Sequence, residues 1–305
     1  MQSNKITKFL KLAVISSIAV VASISLSSCK FNGNGEHKIT IEDVEQKHEK
    51  PLKRVIKVAY TKFLKPYDYI NEKGKSDGLE VKIMQLVAKN LPQYEFKFIP
   101  AEDSEIVLGV ESGKYNIWLK GAWYTKSRAQ KYVIPKQPIA ASIVGLVIRA
   151  ETAGDIYDLD SFSKFSGKLV PISPINAQYN VIRRYQKANP DNHIDLQPSI
   201  DFNIQNVYDL VANGRYDAYM EVEQRYIFSI LDENSPLNNL KNKLSYIRYK
   251  AFPTYPCYSS LFNRQEIELA DAYDKAIKNL RDQGQLDELE IKYLGEKIGD
   301  YLNRK

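Results

Sequence analysis

The residues best equipped for chemistry lie in one run, Leu119-Lys-Gly-Ala-Trp-Tyr-Thr-Lys-Ser-Arg128. Arg128 offers a planar, permanently charged fork that suits bidentate capture of a carboxylate. Gly121 follows a strand-like apolar segment, Tyr115 to Leu119, and precedes a charged, helix-like stretch, Lys126 to Lys131. A strand that ends in glycine and reopens as a helix exposes backbone amides and carbonyls at a strand tip, where open α/β sheets bind small ligands. On these residues alone, Arg128 reads first as a solvated helix-face residue and Gly121 as a plain turn. Other reactive types are scarce. The histidines are His37, His48 and His193 and the cysteines Cys29 and Cys257, too few for a His-centred catalytic site or a His/Cys metal site. No cofactor and no metal is expected.

Residues 1–28 read as an export signal. Lys5, Lys8 and Lys11 form a positive start, and Leu12 to Leu26 is an uncharged core ending in small residues. Leu26-Ser-Ser-Cys29 resembles the bacterial lipobox, whose cysteine is lipidated and becomes the mature N-terminus. That reading is preferred over an ordinary cleaved signal or an uncleaved anchor, because the apolar run is short for a membrane span. With Cys29 lipidated, Cys257 has no partner for a disulfide and is expected as a buried thiol. The whole chain carries a formal net charge of +6, and removing the three signal lysines leaves +3, which is no nucleic-acid footprint. Residues 29–51 are polar and poor in apolar side chains, so they read as a flexible tether.

The elements that must position Arg128 and Gly121 alternate between strand and helix. Arg54 to Tyr60 has a strand pattern, Gly78 to Asn90 places Leu79, Ile83, Leu86 and Val87 at helical spacing, and Tyr94 to Ile99 is strand again. Ser104 to Ser112 reads as a helix opened by a serine cap. After a buried strand at Ile143 to Ile148 the rhythm restarts. Strands are expected at Lys168 to Ser173, Ile194 to Gln197 and Asp217 to Glu221. Helices are expected at Asn176 to Ala188, Asn203 to Ala212 and Glu223 to Leu231. The tail, with strands at Leu244 to Ala251 and Cys257 to Phe262 and helices at Glu266 to Gln283 and Leu286 to Leu294, reads as the chain returning to complete the first unit. The rhythm points to mainly parallel sheets with helices on both faces.

Taken in order, these pieces resemble a family. From about Val55 to Gly295 the chain is similar to the polar-amino-acid type (family 3) of bacterial extracellular solute-binding proteins, the capture subunits of ABC importers. Pro66-Tyr-Asp-Tyr69, Gly78-Leu-Glu-Val81, Gly121 with Thr125 and Arg128, Gly167-Lys-Leu-Val170, Gly214-Arg-Tyr-Asp-Ala218 and Leu280-Arg-Asp-Gln-Gly284 carry the likeness, with Tyr293-Leu294 after them. The resemblance implies a two-lobed, type II periplasmic-binding-protein-like fold with two hinge crossings near Ile143 to Arg149 and Ala251 to Ser260. Lobe 1 would be 52–143 with 250–305, and lobe 2 would be 144–249. It further implies a monomer that closes on its ligand like a clamp. Arg128 would hold the ligand α-carboxylate, backbone amides at Asn176 and Ala177 would assist at a helix N-terminus, and the Gly121 carbonyl would accept from the ligand amine. The Asn176 side chain reads equally as a plain helix cap.

The chain departs from the family pattern at several positions. Trp123 stands where a small hydroxyl residue is usual, as a stacking wall for ligand or as core. The usual amino-group aspartate falls at Val222, with Glu221 and Glu223 on either side as substitutes sharing one face by period-2 alternation, or as solvated helix-start acids. A stacking aromatic before Pro66 aligns with Leu64, with Phe63 adjacent, and a second stacking position falls at Asp103. Extra acids at Asp103, Glu221 and Glu223 would suit a ligand with more than one amine, such as a basic amino acid. The function implied is a lipid-anchored receptor on the outer face of the cytoplasmic membrane or in the periplasm, passing a polar amino acid to an ABC permease. The alternatives are a cyclohexadienyl (prephenate or arogenate) dehydratase-like enzyme, which would need Glu221 or Glu223 as general acid, and a ligand sensor. A fused kinase or transglycosylase is not expected, since the sequence stops at Lys305.

Overall fold

The computed structural model describes residues 52–174, 176–199 and 204–297. The export signal, Cys29 and the tether expected at 1–51 lie outside the described residues. The chain begins with β1 (Arg54–Thr61), followed by the short strands β2 (Phe63–Leu64), β3 (Asp68–Ile70) and β4 (Ser76–Asp77), which pair antiparallel. Next come α1 (Leu79–Lys89), β5 (Tyr94–Ala101), α2 (Asp103–Glu111), β6 (Ile117–Leu119) and α3 (Lys126–Lys131). The long β7 (Ala140–Arg149) leads to α4 (Leu159–Phe165), α5 (Ala177–Ala188), α6 (Ile204–Ala212), β8 (Ala218–Val222) and α7 (Glu223–Tyr226). A π-helical turn over Ile227–Leu231 extends α7. Then β9 (Leu244–Thr254) and β10 (Cys257–Tyr258) precede α8 (Asn263–Asp282) and α9 (Gln285–Leu294).

The first lobe is built on the sheet β10-β6-β1-β5, in which β1 pairs parallel with both β5 and β6. Strand alternation sends successive residues to opposite faces, and here it divides two cores. Val58, Tyr60, Ile117, Leu119 and Tyr258 face α1, α8 and α9. Their neighbours Ala59, Trp118 and Cys257 face α2 with Ile106 and Val110. The amphipathic spacing of α8 puts Leu269, Tyr273, Ile277 and Leu280 into the same core as β1, which is how the tail completes the first lobe. Cys257 is a buried thiol that burial pushes well up.

The second lobe is built on β8-β7-β9. Val144, Leu146, Ile148 and Met220 pack on α4 and α5, while Val147 packs on α6 with Val207, Tyr208 and Val211. Each sheet is therefore covered on both faces, the two-lobed α/β architecture. Parallel pairing is fullest in the first sheet. In the second, β7 pairs antiparallel with β8 and with β9. The strands expected at Lys168 to Ser173 and Ile194 to Gln197 survive only as single parallel bridges, Leu169 to Ala218 and Ile172 to Pro198. Pro171 explains the first interruption, since it removes a donor that a continuous ladder needs.

Two further expectations shift. Helix α2 starts at Asp103 rather than being capped by Ser104, and its cap residue Glu102 makes no side-chain bond. Strand β8 ends at Val222 and a helix opens at Glu223, so period-2 alternation does not carry from Glu221 to Glu223.

Strands β7 and β9 pair over their whole length, from Ala140 with Thr254 to Arg149 with Leu244, and so run from one lobe into the other. Their register shifts at Val144/Gly145. There a Cβ on Gly145 would stand 2.0 Å from the Ile247 carbonyl oxygen, so only glycine lets the strands approach this closely.

Candidate functional site

A cavity of about 470 Å³ opens between the lobes, within the size range of small-molecule sites. The first lobe contributes Leu64, Asp103 and the β6–α3 turn, and the second contributes the start of α5 and the β8–α7 junction. Ser142 and Thr254 of the long strands form its floor.

The β6–α3 turn is set by local chemistry. Gly121 has φ 58°, the left-handed region that side chains disfavour. Its N–H donates to Glu80 Oε2 at 3.1 Å, and Glu80 Oε1 accepts from the Thr254 hydroxyl at 2.6 Å. Glu80 is fully buried on α1, so one carboxylate ties together α1, the Gly121 turn and the end of β9. Burial raises the Glu80 pKa, while the bonds from Thr254 and Gly121 pull it down; the net shift is upward. Beside it, Asp68 is fully buried and neither of its oxygens meets a donor. Burial, then the charge of Glu80, push Asp68 well above the usual carboxylate range.

Thr125 caps α3 by accepting from the Arg128 N–H at 3.1 Å. This fixes the helix start that carries Arg128 into the cavity. The Arg128 guanidinium donates from Nη1 to the Trp123 carbonyl at 2.6 Å and has no carboxylate partner among the described residues. Trp123 is both wall and core. Its ring lines the cavity, stacks on Phe252 at 4.8 Å between centroids, and donates from Nε1 to Ser142 Oγ at 2.7 Å. Trp118 points the other way, into the core beneath α2.

Of the remaining expected site residues, Leu64, Asp103, Asn176 and Ala177 also line the cavity. Leu64 stands over Gly121, its Cδ2 3.4 Å from where a Cβ would lie. Asp103 is ion-paired with Lys120 at 2.6 Å. Asn176 makes no side-chain cap bond, and its N–H is used by the Ser173 carbonyl at 2.9 Å. The expected pair of anion-binding amides is therefore corrected: Asn176 is engaged in a turn, and the first free N–H groups of α5 begin at Ala177.

Three expected residues do not line the cavity. Phe63 is 77 % exposed, and its ring has the Lys62 ammonium 5.6 Å from its centroid. Glu221 is buried, accepts from the Val222 N–H at 2.8 Å and faces Tyr208. Glu223 is buried and paired with Arg248 at 2.6 Å, and Arg248 also reaches Glu296 at 2.6 Å. The helix opening at Glu223 turns the two acids apart, so no shared acidic face forms. Conversely, Arg225, Lys120 and Ser142 line the cavity without having stood out in the sequence. For Arg225 the one available signal was its position four residues after Glu221.

A two-lobed α/β protein with a polar cleft crossed by two strands defines a solute-binding class. The chain belongs to the bacterial extracellular solute-binding proteins, family 3, whose model matches residues 56–296. Membership implies a cell-envelope location. The chain is 24% identical over 233 residues to the L-cystine-binding protein TcyJ of Bacillus subtilis, covering 74% of this chain and 79% of that protein. The probable amino-acid ABC transporter extracellular-binding protein ytmK of Bacillus subtilis superposes with a TM-score of 0.65 at 20% identity, over 80% of this chain and 99% of that one. A structure from work on glutathione import via GshT and the cystine ABC importer TcyBC of Streptococcus mutans superposes at 0.62 with 22% identity, over 81% and 97%.

Proposed function

We propose that the protein captures an amino acid of the cystine type between its lobes and delivers it to an ABC permease, held at the membrane by a lipid on Cys29. The observation that carries this reading is the Arg128 guanidinium, anchored on the Trp123 carbonyl and facing a cavity where no carboxylate neutralises it. Arg128 grips the ligand α-carboxylate with the Ala177 N–H at the start of α5, the Gly121 carbonyl takes the amine, and Trp123 forms the wall. Strands β7 and β9 are the hinge, joining lobe 1 (52–143 with 250–305) to lobe 2 (144–249).

A basic amino acid fits less well than the sequence suggests. Glu221 and Glu223 are spent on internal partners, and Asp103 is matched by Lys120. The same geometry disfavours a dehydratase, which would need one of those glutamates facing the cleft as general acid.

The test is calorimetric titration of the purified protein with the common amino acids, L-cystine and prephenate. Binding of an amino acid, lost in Arg128→Ala, supports the reading. Silence toward all amino acids, or turnover of prephenate, overturns it.

A further inference from the structure

We propose that Arg225 is a second anion clamp, making the cavity selective for amino acids that carry another carboxylate at the far end, with L-cystine as the test case. The proposal rests on the binding-protein reading above and names the ligand class of that same site.

Arg225 belongs to α7 on the second lobe, and its side chain is 34 % exposed where it lines the cavity. Its nearest carboxylate is Glu221, 3.7 Å away, too far for a hydrogen bond. Glu221 already accepts from the Val222 N–H. It therefore offsets the charge of Arg225 without satisfying its N–H groups, and no hydrogen bond from the Arg225 guanidinium forms among the described residues. A guanidinium carries five donors in a fixed fork that matches a carboxylate.

The charge balance of the walls points the same way. The charged residues among the cavity's lining are Asp103, Lys120, Arg128 and Arg225. Asp103 and Lys120 cancel as a pair at 2.6 Å, and Glu221 behind the wall offsets the charge of Arg225. This leaves two guanidinium groups on opposite lobes whose N–H groups meet no carboxylate oxygen within hydrogen-bond distance among the described residues. The attraction of Glu221, and more weakly of Asp103 from the other lobe, holds Arg225 firmly protonated. A ligand with one carboxylate satisfies Arg128 and leaves Arg225 stripped of water when the lobes close, which is costly for a charged donor. A ligand with carboxylates at both ends meets both forks and ties the lobes together. Ligand contacts to both lobes are what shift a hinged protein toward its closed state.

The test uses a matched pair, L-cystine and the cysteine–cysteamine mixed disulfide, which keeps the length and both amines and lacks one carboxylate. Each is titrated into wild type, Arg225→Gln, Arg225→Lys and Arg128→Ala. The wild type is expected to prefer L-cystine by about tenfold or more, the scale of one charge-assisted hydrogen-bond pair. Arg225→Gln is expected to lose about 10- to 100-fold for L-cystine and less than about threefold for the mixed disulfide. Arg225→Lys falls between, and carries the test if the glutamine variant melts early without ligand. Equal wild-type affinity for the two compounds, or a parallel loss for both in Arg225→Gln, overturns the second clamp. In either case a loss of both ligands in Arg128→Ala leaves the amino-acid reading standing. A wild type that binds no amino acid removes that reading and the clamp with it.

Discussion

The Arg128 Nη1 group sits 2.6 Å from the Trp123 carbonyl oxygen, five residues back along the same turn. One arm of the guanidinium is thereby fixed before ligand arrives, and the rotamer entropy of a long side chain is already spent. The remaining N–H groups are aimed by the scaffold, which is the preorganisation that raises affinity.

Replacing Arg128 with alanine is therefore expected to weaken amino-acid binding by about 2–5 kcal/mol, the cost of truncating one partner of a buried charged pair. Arg128→Lys keeps the charge and loses the fork, and should recover only part of that energy. Calorimetry on both variants checks this; full recovery in the lysine variant would mean that charge alone matters.

Trp123 and Trp118 are the only tryptophans in the chain. Trp123 borders the cavity, whereas Trp118 lies under α2 against Tyr132, 5.2 Å between ring centroids. Ligand entry is expected to change the intrinsic fluorescence through Trp123 alone. In Trp123→Phe the ligand-dependent signal should vanish and affinity should drop by about 0.5–1.5 kcal/mol, the scale of one aromatic contact. A signal that persists in this variant would assign it to Trp118.

Asp68 gives a pH dependence whose sign follows from its burial. Its folded-state pKa is raised well above the ordinary value, first by burial and then by Glu80, whereas in the unfolded chain it titrates at about 3.9. Between the two values the folded protein keeps a proton that the unfolded chain has released. The stability from the neutral form is whole below about pH 4 and declines as pH rises through the folded-state value. Asp68→Asn cannot ionise, so it should match wild type near pH 4 and exceed it at pH 7 to 8 by about 1–3 kcal/mol. Urea unfolding at both pH values decides it, and a difference independent of pH would count against the buried acid as its source.

Gly145 permits the β7–β9 approach at the register shift. Gly145→Ala would force a methyl group into the Ile247 carbonyl, and is expected to destabilise the fold by about 1–3 kcal/mol through overpacking. Unchanged urea stability would mean the two strands separate there at little cost.

Much of this was readable in the chain itself. The strand–glycine–helix junction around Gly121 and the helix start carrying Arg128 could be placed from local pattern because short-range geometry governs them, whereas Thr125 and the ligand role of Arg128 came only with the family resemblance. The return of α8 to the first core was visible in its apolar spacing. Glu221 and Glu223 were not readable in the same way: their fate depends on where β8 stops, and a one-residue change from strand to helix sends the second acid to Arg248. Arg225 was hidden for a related reason, since its exposure to the cavity depends on the angle at which α7 leaves the sheet. Pro171 carried a signal against a continuous strand at Lys168 to Ser173, which the apolar residues around it outweighed.

Glu80 joins three distant parts of the chain through one carboxylate, and this bears on redesign. A Gly121 turn copied into another scaffold without its acid would lose the acceptor for its amide, and the serine or threonine at the position of Thr254 would have to travel with it. The cavity's lining is thus portable only as a set that includes a residue which does not line it. A library that randomises the cavity lining should hold Glu80 constant, or its yield will measure folding rather than specificity.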